Sequence, residues 1–528
     1  MTPCFRFIFS TLFQEQKTDR RYFTVKDTSK YYDRLQKFLG LSIVCLAVSF
    51  IFLSIVRSVG YQGFRNHDSA VYVSVGRLIT QGYAPYVGVW DHKPPLIYFI
   101  TAIGYLFTPS NPFGACVVFW IIGFISALVW VDTFKVLGAT VYNAIFLTLL
   151  SFSVLLFFNS QWHLMTETLS FFLSSIALNF ALKSRIHQTS YYTLLAGAFI
   201  ALSSLSKQQM IFDGVALSVI LAWPFCKGHM KRLLIAFLGG VGVYLCIIFI
   251  LWMWGCLSEA IYCYLFNFHY ASSRAFGKIT TGQSLNSVLL LFSIGLFGLF
   301  YSAYKKAAWK IPILCALGSI LWLGGAMLVA TRGHQHYNIV LWSPTVFALA
   351  MGSPAFNTLI DWKKMALPFE LAHCSYSYFR RKIGVVGIVA IAILLFFGMY
   401  RFWTSRHNLT AGKLKYSVAY KEKPTVFIYS FASPYYFALE NITPASKYIY
   451  LVPIRHDFHR EKMLKEIKEA FENNAPDYIM INPHNDFLSK LGGANELKKY
   501  LLNYIDTHHY VKRNVTKHLI IYQNSHAG

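Results

Sequence analysis

Acidic side chains are scarce in this chain of 528 residues. Asp and Glu number 23 against 48 Lys and Arg, and charged residues of both signs make up only 13%. Soluble domains carry roughly 25% charged residues, so a large soluble fold does not fit. Paired cysteine spacings are also missing. The nine cysteines fall between Cys4 and Cys374, mostly in or beside apolar segments, where a free thiol behaves as a small hydrophobe. A disulfide framework is therefore not expected. No zinc-module spacing, P-loop or dinucleotide-binding glycine fingerprint occurs. A cleavable signal peptide is not expected, because a mixed stretch rich in Lys and Arg from Lys17 to Lys37 precedes the first long apolar run. The net charge of +25 does not imply nucleic acid, since the basic residues fall mostly in short loops between apolar segments.

What the chain does have is apolar length. Long apolar segments lie near 38–58, 114–134, 139–158, 167–183, 191–206, 210–226, 232–257, 286–304, 310–330, 338–360 and 383–400, the pattern of a polytopic α-helical membrane protein. Lys/Arg-bearing loops at 183–188, 227–232, 304–310 and 361–382 are expected to be cytoplasmic. The loops at 159–167, 207–209, 258–285 and 331–337, and everything after about 401, then face outward. The segment 94–107 covers about 20 Å at ~1.5 Å per residue, short of the roughly 30 Å hydrocarbon core. It is read as a helix at the outer interface, because counting it as a span would put the later basic clusters outside. This gives about eleven spans, with about thirteen preserving the same sidedness. A multi-pass protein of the plasma (inner) membrane is expected, with a cytoplasmic N-terminal segment 1–37 and a transmembrane body 38–404 that includes a first outer loop 59–113.

The C-terminal stretch 405–528 changes character. Short β-rich runs (PTVFIYS, KYIYLVP, DYIMINP, HYVKR, HLIIY) alternate with helix-period runs (HREKMLKEIKEAFENN, ANELKKYLLNYI). That alternation predicts a small extracytoplasmic α/β domain.

Polar chemistry gathers on the outward face. Residues 66–95 hold His67, Asp68, Tyr72, Arg77, Tyr86, Asp91, His92 and Lys93. Further outward groups are His163 and Glu167, Lys207, His269, Tyr270 and Arg274, then Arg332, His334, His336 and Tyr337. Carboxylates mixed with cations at a membrane surface suit a lipid-phosphate substrate. Arg and Lys neutralise phosphate oxygens, and a carboxylate within reach of a hydroxyl acts as general base. Each residue also has a plainer reading. Asp68 suits the start of a helix, Asp91 a turn before the prolines, Lys93 and Lys207 snorkelling to headgroups, and Glu167 a helix start.

The pattern Asp68-x3-Tyr72, then Gly82-x-x-Pro85-Tyr86, then Lys93-Pro94-Pro95-Leu96 resembles the GT-C polyprenyl-phosphate-sugar glycosyltransferases. Within them it is most similar to the protein mannosyltransferase and aminoarabinose transferase group (glycosyltransferase family 39-like). The likeness covers roughly the first 400 residues, and HLMTE and GHQHYNIVLWSP add to it. It implies that Asp68 is the general base of an inverting transfer from a polyprenyl-phosphate donor, and that Lys93, His336, Tyr337 and Arg274 hold the donor phosphate. His67, Tyr72, Tyr86, Asp91, His92, His163, Glu167 and His269 become candidates for substrate contact. The partners expected are the lipid-linked donor and a lipid, glycan or protein acceptor, with no nucleic acid. The chain departs from the pattern at Ser69, where many relatives carry a second acid, and at His92, where aminoarabinose transferases carry Glu. No metal ligand is carried over, so a divalent metal stays open, and aminoarabinose as the sugar is disfavoured. Two other readings are a transporter or flippase of lipid-linked saccharides, for which Asp132 and Asp213 are the relevant intramembrane acids, and a non-catalytic envelope assembly protein.

Overall fold

The computed structural model describes residues 67–109, 112–158, 164–222, 227–272, 283–306, 309–330, 341–359, 423–430, 433–440, 442–483, 491–515 and 519–525. The first expected span (38–58) and the last (383–400) lie outside them. Two short helices come first, α1 (His67–Thr80) and α2 (Leu96–Phe107). The helical body follows as α3 (Phe113–Val136), α4 (Val141–Phe158), α5 (Thr166–His187), α6 (Ser190–Ser206), α7 (Ile211–Ala222), α8 (Lys227–Met253), α9 (Leu257–Ser272), α10 (Gln283–Lys306), α11 (Lys310–Ala330) and α12 (Trp342–Gly352).

Among the described residues three helices are long and apolar enough to cross a membrane: Phe113–Val136, His229–Met253 and Val288–Lys305. Leu96–Phe107, Ser190–Ser206 and Pro312–Met327 are apolar but shorter. In α8 only 6% of the span is buried, and Leu234, Phe237, Leu245, Phe249 and Trp252 are exposed. A helix apolar all round and this exposed has lipid as its natural solvent.

In hydrocarbon, burying apolar surface gives helices little reason to associate, so close packing at small residues does the work. A Cβ on Gly197 of α6 would stand 1.8 Å from the carbonyl oxygen of Ala236 on α8. Likewise Gly298 of α10 and Gly352 of α12 leave no room for a side chain between their backbones. The intramembrane acids are satisfied by neighbouring helices. Asp132 lies 2.6 Å from the Lys183 ammonium and accepts from Asn179 Nδ2 at 2.9 Å. Asp213 on α7 accepts from Ser174 Oγ, from Trp322 Nε1 at 2.9 Å and from Ser343 Oγ at 2.7 Å.

Helix α9 differs from the expected loop at 258–285. The apolar run of α8 ends at Trp254–Gly255, where Gly255 takes φ +65°, and a second helix starts at Leu257. Its buried residues Cys263 and Phe266 are spaced at helical intervals, but Ser258, Glu259 and Asn267 mask the period.

The C-terminal segment forms a five-stranded sheet in the order β2-β1-β3-β5-β4. Its strands are β1 (Thr425–Tyr429), β2 (Thr443–Pro444), β3 (Tyr478–Ile481), β4 (Tyr510–Val515) and β5 (Ile520–Asn524). β1 runs parallel to β2 and β3, while β5 is antiparallel to β3 and β4. The two central strands read as continuous apolar runs because both faces are covered. Helices α13 (Ser433–Leu439), α14 (Asp457–Asn473) and α15 (Ala494–Thr507) accompany the sheet. Met463, Leu464, Ile467 and Phe471 form the buried stripe of α14, and Phe471 meets Phe427 and Tyr504 at ring distances of 5.1 and 5.0 Å. The run KYIYLVP is not a strand. It turns into a 3-10 segment at Val452–Arg455, Pro453 removes a ladder donor, and the Lys447 carbonyl bonds outside the sheet.

Packing on small residues predicts opposite outcomes for two glycines. Gly197→Ala should destabilise by about 1–3 kcal/mol through overpacking. Gly242→Ala, which meets nothing within 4 Å, should be neutral or stabilising by up to ~1 kcal/mol. Thermal unfolding in detergent measures both, and equal midpoints would contradict the packing account.

Candidate active site

The site is built on the turn between α1 and α2. Helix α1 starts at His67 and places Asp68 in its first turn, where the helix dipole favours an acid. Asp68 is half-buried. Ser69 Oγ donates to the Leu164 carbonyl at 3.0 Å, which ties α1 to the start of α5. The helix ends in a Schellman pattern: Tyr83 N–H reaches Leu78 O at 3.0 Å and Gly82 N–H reaches Ile79 O at 3.1 Å. Gly82 takes φ +94° there, which is why that position of the motif requires glycine.

The following turn is held by side chains. Tyr86 adopts φ +68°, a conformation costing roughly 1–3 kcal/mol for a non-glycine residue. Its hydroxyl donates to the Lys93 carbonyl at 2.9 Å. Asp91, buried, accepts from the Tyr98 hydroxyl at 2.6 Å and from the His92 backbone N–H at 2.8 Å. The His92 ring Nδ1 lies 3.1 Å from the same carboxylate. Burial works to raise the Asp91 carboxyl, but hydrogen bonding from His92, the charges of His92 and Lys93 and the Tyr98 hydroxyl outweigh it and hold it below its ordinary value. The His92 imidazole is lowered by burial and by Lys93, against the pull of Asp91.

A second charged pair lies within reach of the charges of Lys93 and Asp68. Glu167 in the first turn of α5 meets the Lys207 ammonium at 2.5 Å, and both side chains are buried. Glu167 also accepts from Thr166 Oγ1 at 2.8 Å, and Ser206 Oγ donates to the Thr166 carbonyl at 3.0 Å. Lys207 is thus not a headgroup anchor, as its position at a span end had implied. Burial pushes its ammonium below the ordinary value, Glu167 pulls it back, and the charges of Lys93 and Asp68 also reach it. Tyr72 sits among these groups. Burial and then the charges of Asp68, Glu167 and Asp91 raise its hydroxyl well above the ordinary value.

The structure therefore brings Asp68, Tyr72, Asp91, His92, Lys93, Glu167 and Lys207 into one electrostatic neighbourhood. Tyr86 supports the turn from within. His163, Arg274, His336 and Tyr337 lie outside the described residues, and for His67 and His269 only the helical backbone is described. Among the described residues no group of three or more His, Cys, Asp or Glu gathers around a common point as metal ligands would.

Sequence reading missed an aromatic platform beside the turn. Trp90, fully buried, stacks on His459 of α14 at 4.5 Å and 20° and packs against Tyr448 and Phe266. Its backbone N–H donates to the Lys447 carbonyl at 2.8 Å. Tyr262 of α9 shares a hydrogen bond of 2.9 Å with His459 Nδ1. Trp90 stands directly before the Asp-His-Lys run, but nothing local in the sequence links it to residues more than 350 positions away.

This arrangement sits in a GT-C fold, the polytopic architecture that the motif resemblance implied. Two crystal structures of the aminoarabinose transferase ArnT from Cupriavidus metallidurans are similar to the chain. The one bound to undecaprenyl phosphate shows 14% identity and a TM-score of 0.55, covering 92% of this chain and 98% of that one. The apo structure shows 14% identity and a TM-score of 0.52, covering 94% and 98%. No protein-family model matches the chain and no curated protein matches it.

The buried pair predicts asymmetric mutational costs. Lys207→Met should destabilise by about 3–5 kcal/mol, because it strands the Glu167 charge. Adding Glu167→Gln should restore part of that, and a thermal double-mutant cycle showing additivity would count against the pairing.

The platform predicts a pH dependence. Burial, then the charges of Lys462, Lys447, His92 and His456, push the His459 imidazole down to about 3, and His92 is lowered too. The unfolded chain takes up protons near the ordinary value of roughly 6.5 while the folded chain does not, so stability should fall as pH drops below about 6.5. In the variant His459→Phe the melting midpoint should fall less steeply between pH 7 and pH 5 than in the native chain. Parallel slopes would mean that His459 is not held neutral.

Proposed function

We propose that the protein is an inverting glycosyltransferase that moves one sugar from a polyprenyl-phosphate donor to an acceptor hydroxyl on the outer face of the membrane. The observation that carries this reading is the buried Glu167–Lys207 pair within reach of the charges of both Asp68 and Lys93, beside Tyr72, in a chain of GT-C fold. The undecaprenyl phosphate bound in the ArnT structure supports a donor of that lipid class. In this reading the N-terminus is cytoplasmic and the unit from 405 onward lies outside.

The residues divide the reaction between them. The half-buried Asp68 carboxylate takes the proton of the acceptor hydroxyl as its oxygen attacks the anomeric carbon. The bond from that carbon to the phosphate oxygen breaks, and its electron pair leaves with the polyprenyl phosphate. One displacement inverts the anomeric centre. Lys93 neutralises the departing phosphate as a point charge. Arg274, His336 and Tyr337 join it as the resemblance implies. Transport is less well supported, because Asp213 is buried and held by Ser174, Trp322 and Ser343 where a conduction path would keep its ionisable groups accessible.

Asp68→Asn tests the assignment in membranes supplied with labelled lipid-linked sugar. Turnover should fall by about 10²–10⁴-fold with donor binding retained. Undiminished transfer would remove Asp68 from the role of base.

A further inference from the structure

The C-terminal unit makes more than a peripheral contact with the site. Helix α14 meets α9 through two interlocked pairs: His459 with Tyr262, and Lys462 with Glu259 at 3.0 and 3.3 Å. The Lys462 ammonium also stands 4.0 Å from the Tyr262 ring centre. Phe266, one turn further along α9, packs on His92, Trp90 and His459 at ring distances of 5.4, 5.4 and 5.0 Å. The segment before α14 contributes the Lys447 carbonyl and the Tyr448 ring to Trp90. Trp90 is therefore gripped on its ring and on its backbone by residues from the far end of the chain. Asp91, His92 and Lys93 follow it directly.

We infer that His459 is a positioning residue for the reaction turn: by stacking on Trp90 while tied to Tyr262, it fixes where Lys93 presents its charge to the donor phosphate. This rests on the reading of the turn as the donor site. A neutral imidazole suits the task, since it stacks flat on the indole and bonds the Tyr262 hydroxyl without adding a further cation beside Lys462 and Lys447. With His459 cut back, the indole loses its flat support and the turn gains freedom at the residues preceding Lys93. The C-terminal unit is on this account part of the donor site, acting through Trp90 and never touching the lipid.

The test measures the affinity of the purified full-length protein for undecaprenyl phosphate. His459→Ala should weaken binding roughly tenfold. His459→Phe, which keeps the stack, should stay within about threefold. Lys465→Ala, on the exposed side of α14, should bind as the native chain does. In a Lys93→Ala background, His459→Ala should cause no further loss, because a residue acting through Lys93 has nothing left to position. A full additional loss there, or equal losses for the Ala and Phe variants, would overturn the positioning role. If Lys93→Ala weakens binding and His459→Ala does not, this inference fails while the donor site stands. If Lys93→Ala itself leaves binding unchanged, the donor-site reading fails first.

Discussion

The turn between α1 and α2 depends on one buried carboxylate. Asp91 accepts from the Tyr98 hydroxyl and from the His92 N–H, and hydrogen bonds to an ionised acceptor contribute roughly 1.5–3 kcal/mol each. The prolines that follow cannot donate from their backbone, so side chains must fix the path of the chain here. Tyr98 belongs to α2, so the first turn of that helix is bonded back to the residues that lead into it. The same hydroxyl accepts the Lys93 N–H at 3.2 Å, and Tyr86 takes the Lys93 carbonyl. Both backbone groups of Lys93 are therefore committed to tyrosines. The left-handed Tyr86 is tolerated because this network over-determines it.

The surrounding body obeys the chemistry of an apolar solvent. Polar groups within it find partners on other helices: Asp213 with Ser174, Trp322 and Ser343, and Ser170 with Ser203 by reciprocal hydroxyl-to-carbonyl bonds of 3.0 and 2.8 Å. Such bonds do not merely add stability. They set the axial register of α5 against α6 and α7, and that register delivers Glu167 to Lys207 at the ends of their helices. A buried ion pair is weak evidence for stability in its own right. Here it keeps a cation and an acid side by side within reach of the Asp68 charge, so that the two compensate each other.

Much of this was legible in the sequence, and the failures share a cause. Asp68, Tyr72, Asp91 and Lys93 could be read together because they lie within one short stretch, and apolar length announced most of the helices. Lys207 looked like a headgroup anchor because its partner is forty residues away and no local pattern reports burial. Helix α9 was hidden by a few polar residues on its own surface. KYIYLVP looked like a strand because Tyr, Ile and Val are enriched in strands, yet here they are buried for another reason. In this run the Lys447 carbonyl and the Tyr448 ring serve the contact with Trp90. Propensity reports what a residue tolerates, whereas tertiary contact decides what it does.

Helix α1 joins the two halves of the molecule. At 14 residues it is near the length at which an isolated helix is marginal, about 12–15 residues, so packing must hold it. Asp68 and Tyr72, one turn apart, face the charged site. Ser74 and Arg77 face the C-terminal unit, donating to the carbonyls of Pro434, Phe437 and Glu440. Those carbonyls lie along α13 and at its end, where a guanidinium also meets the negative pole of the helix. Gly76 lets α2 approach so closely that an added Cβ would stand 2.2 Å from Thr101 Oγ1. With both faces occupied, α1 has no independent freedom, and moving the C-terminal unit would carry Asp68 with it. The fold thus ties the candidate base through α1, and the candidate phosphate ligand through Trp90, to the same distant segment of chain.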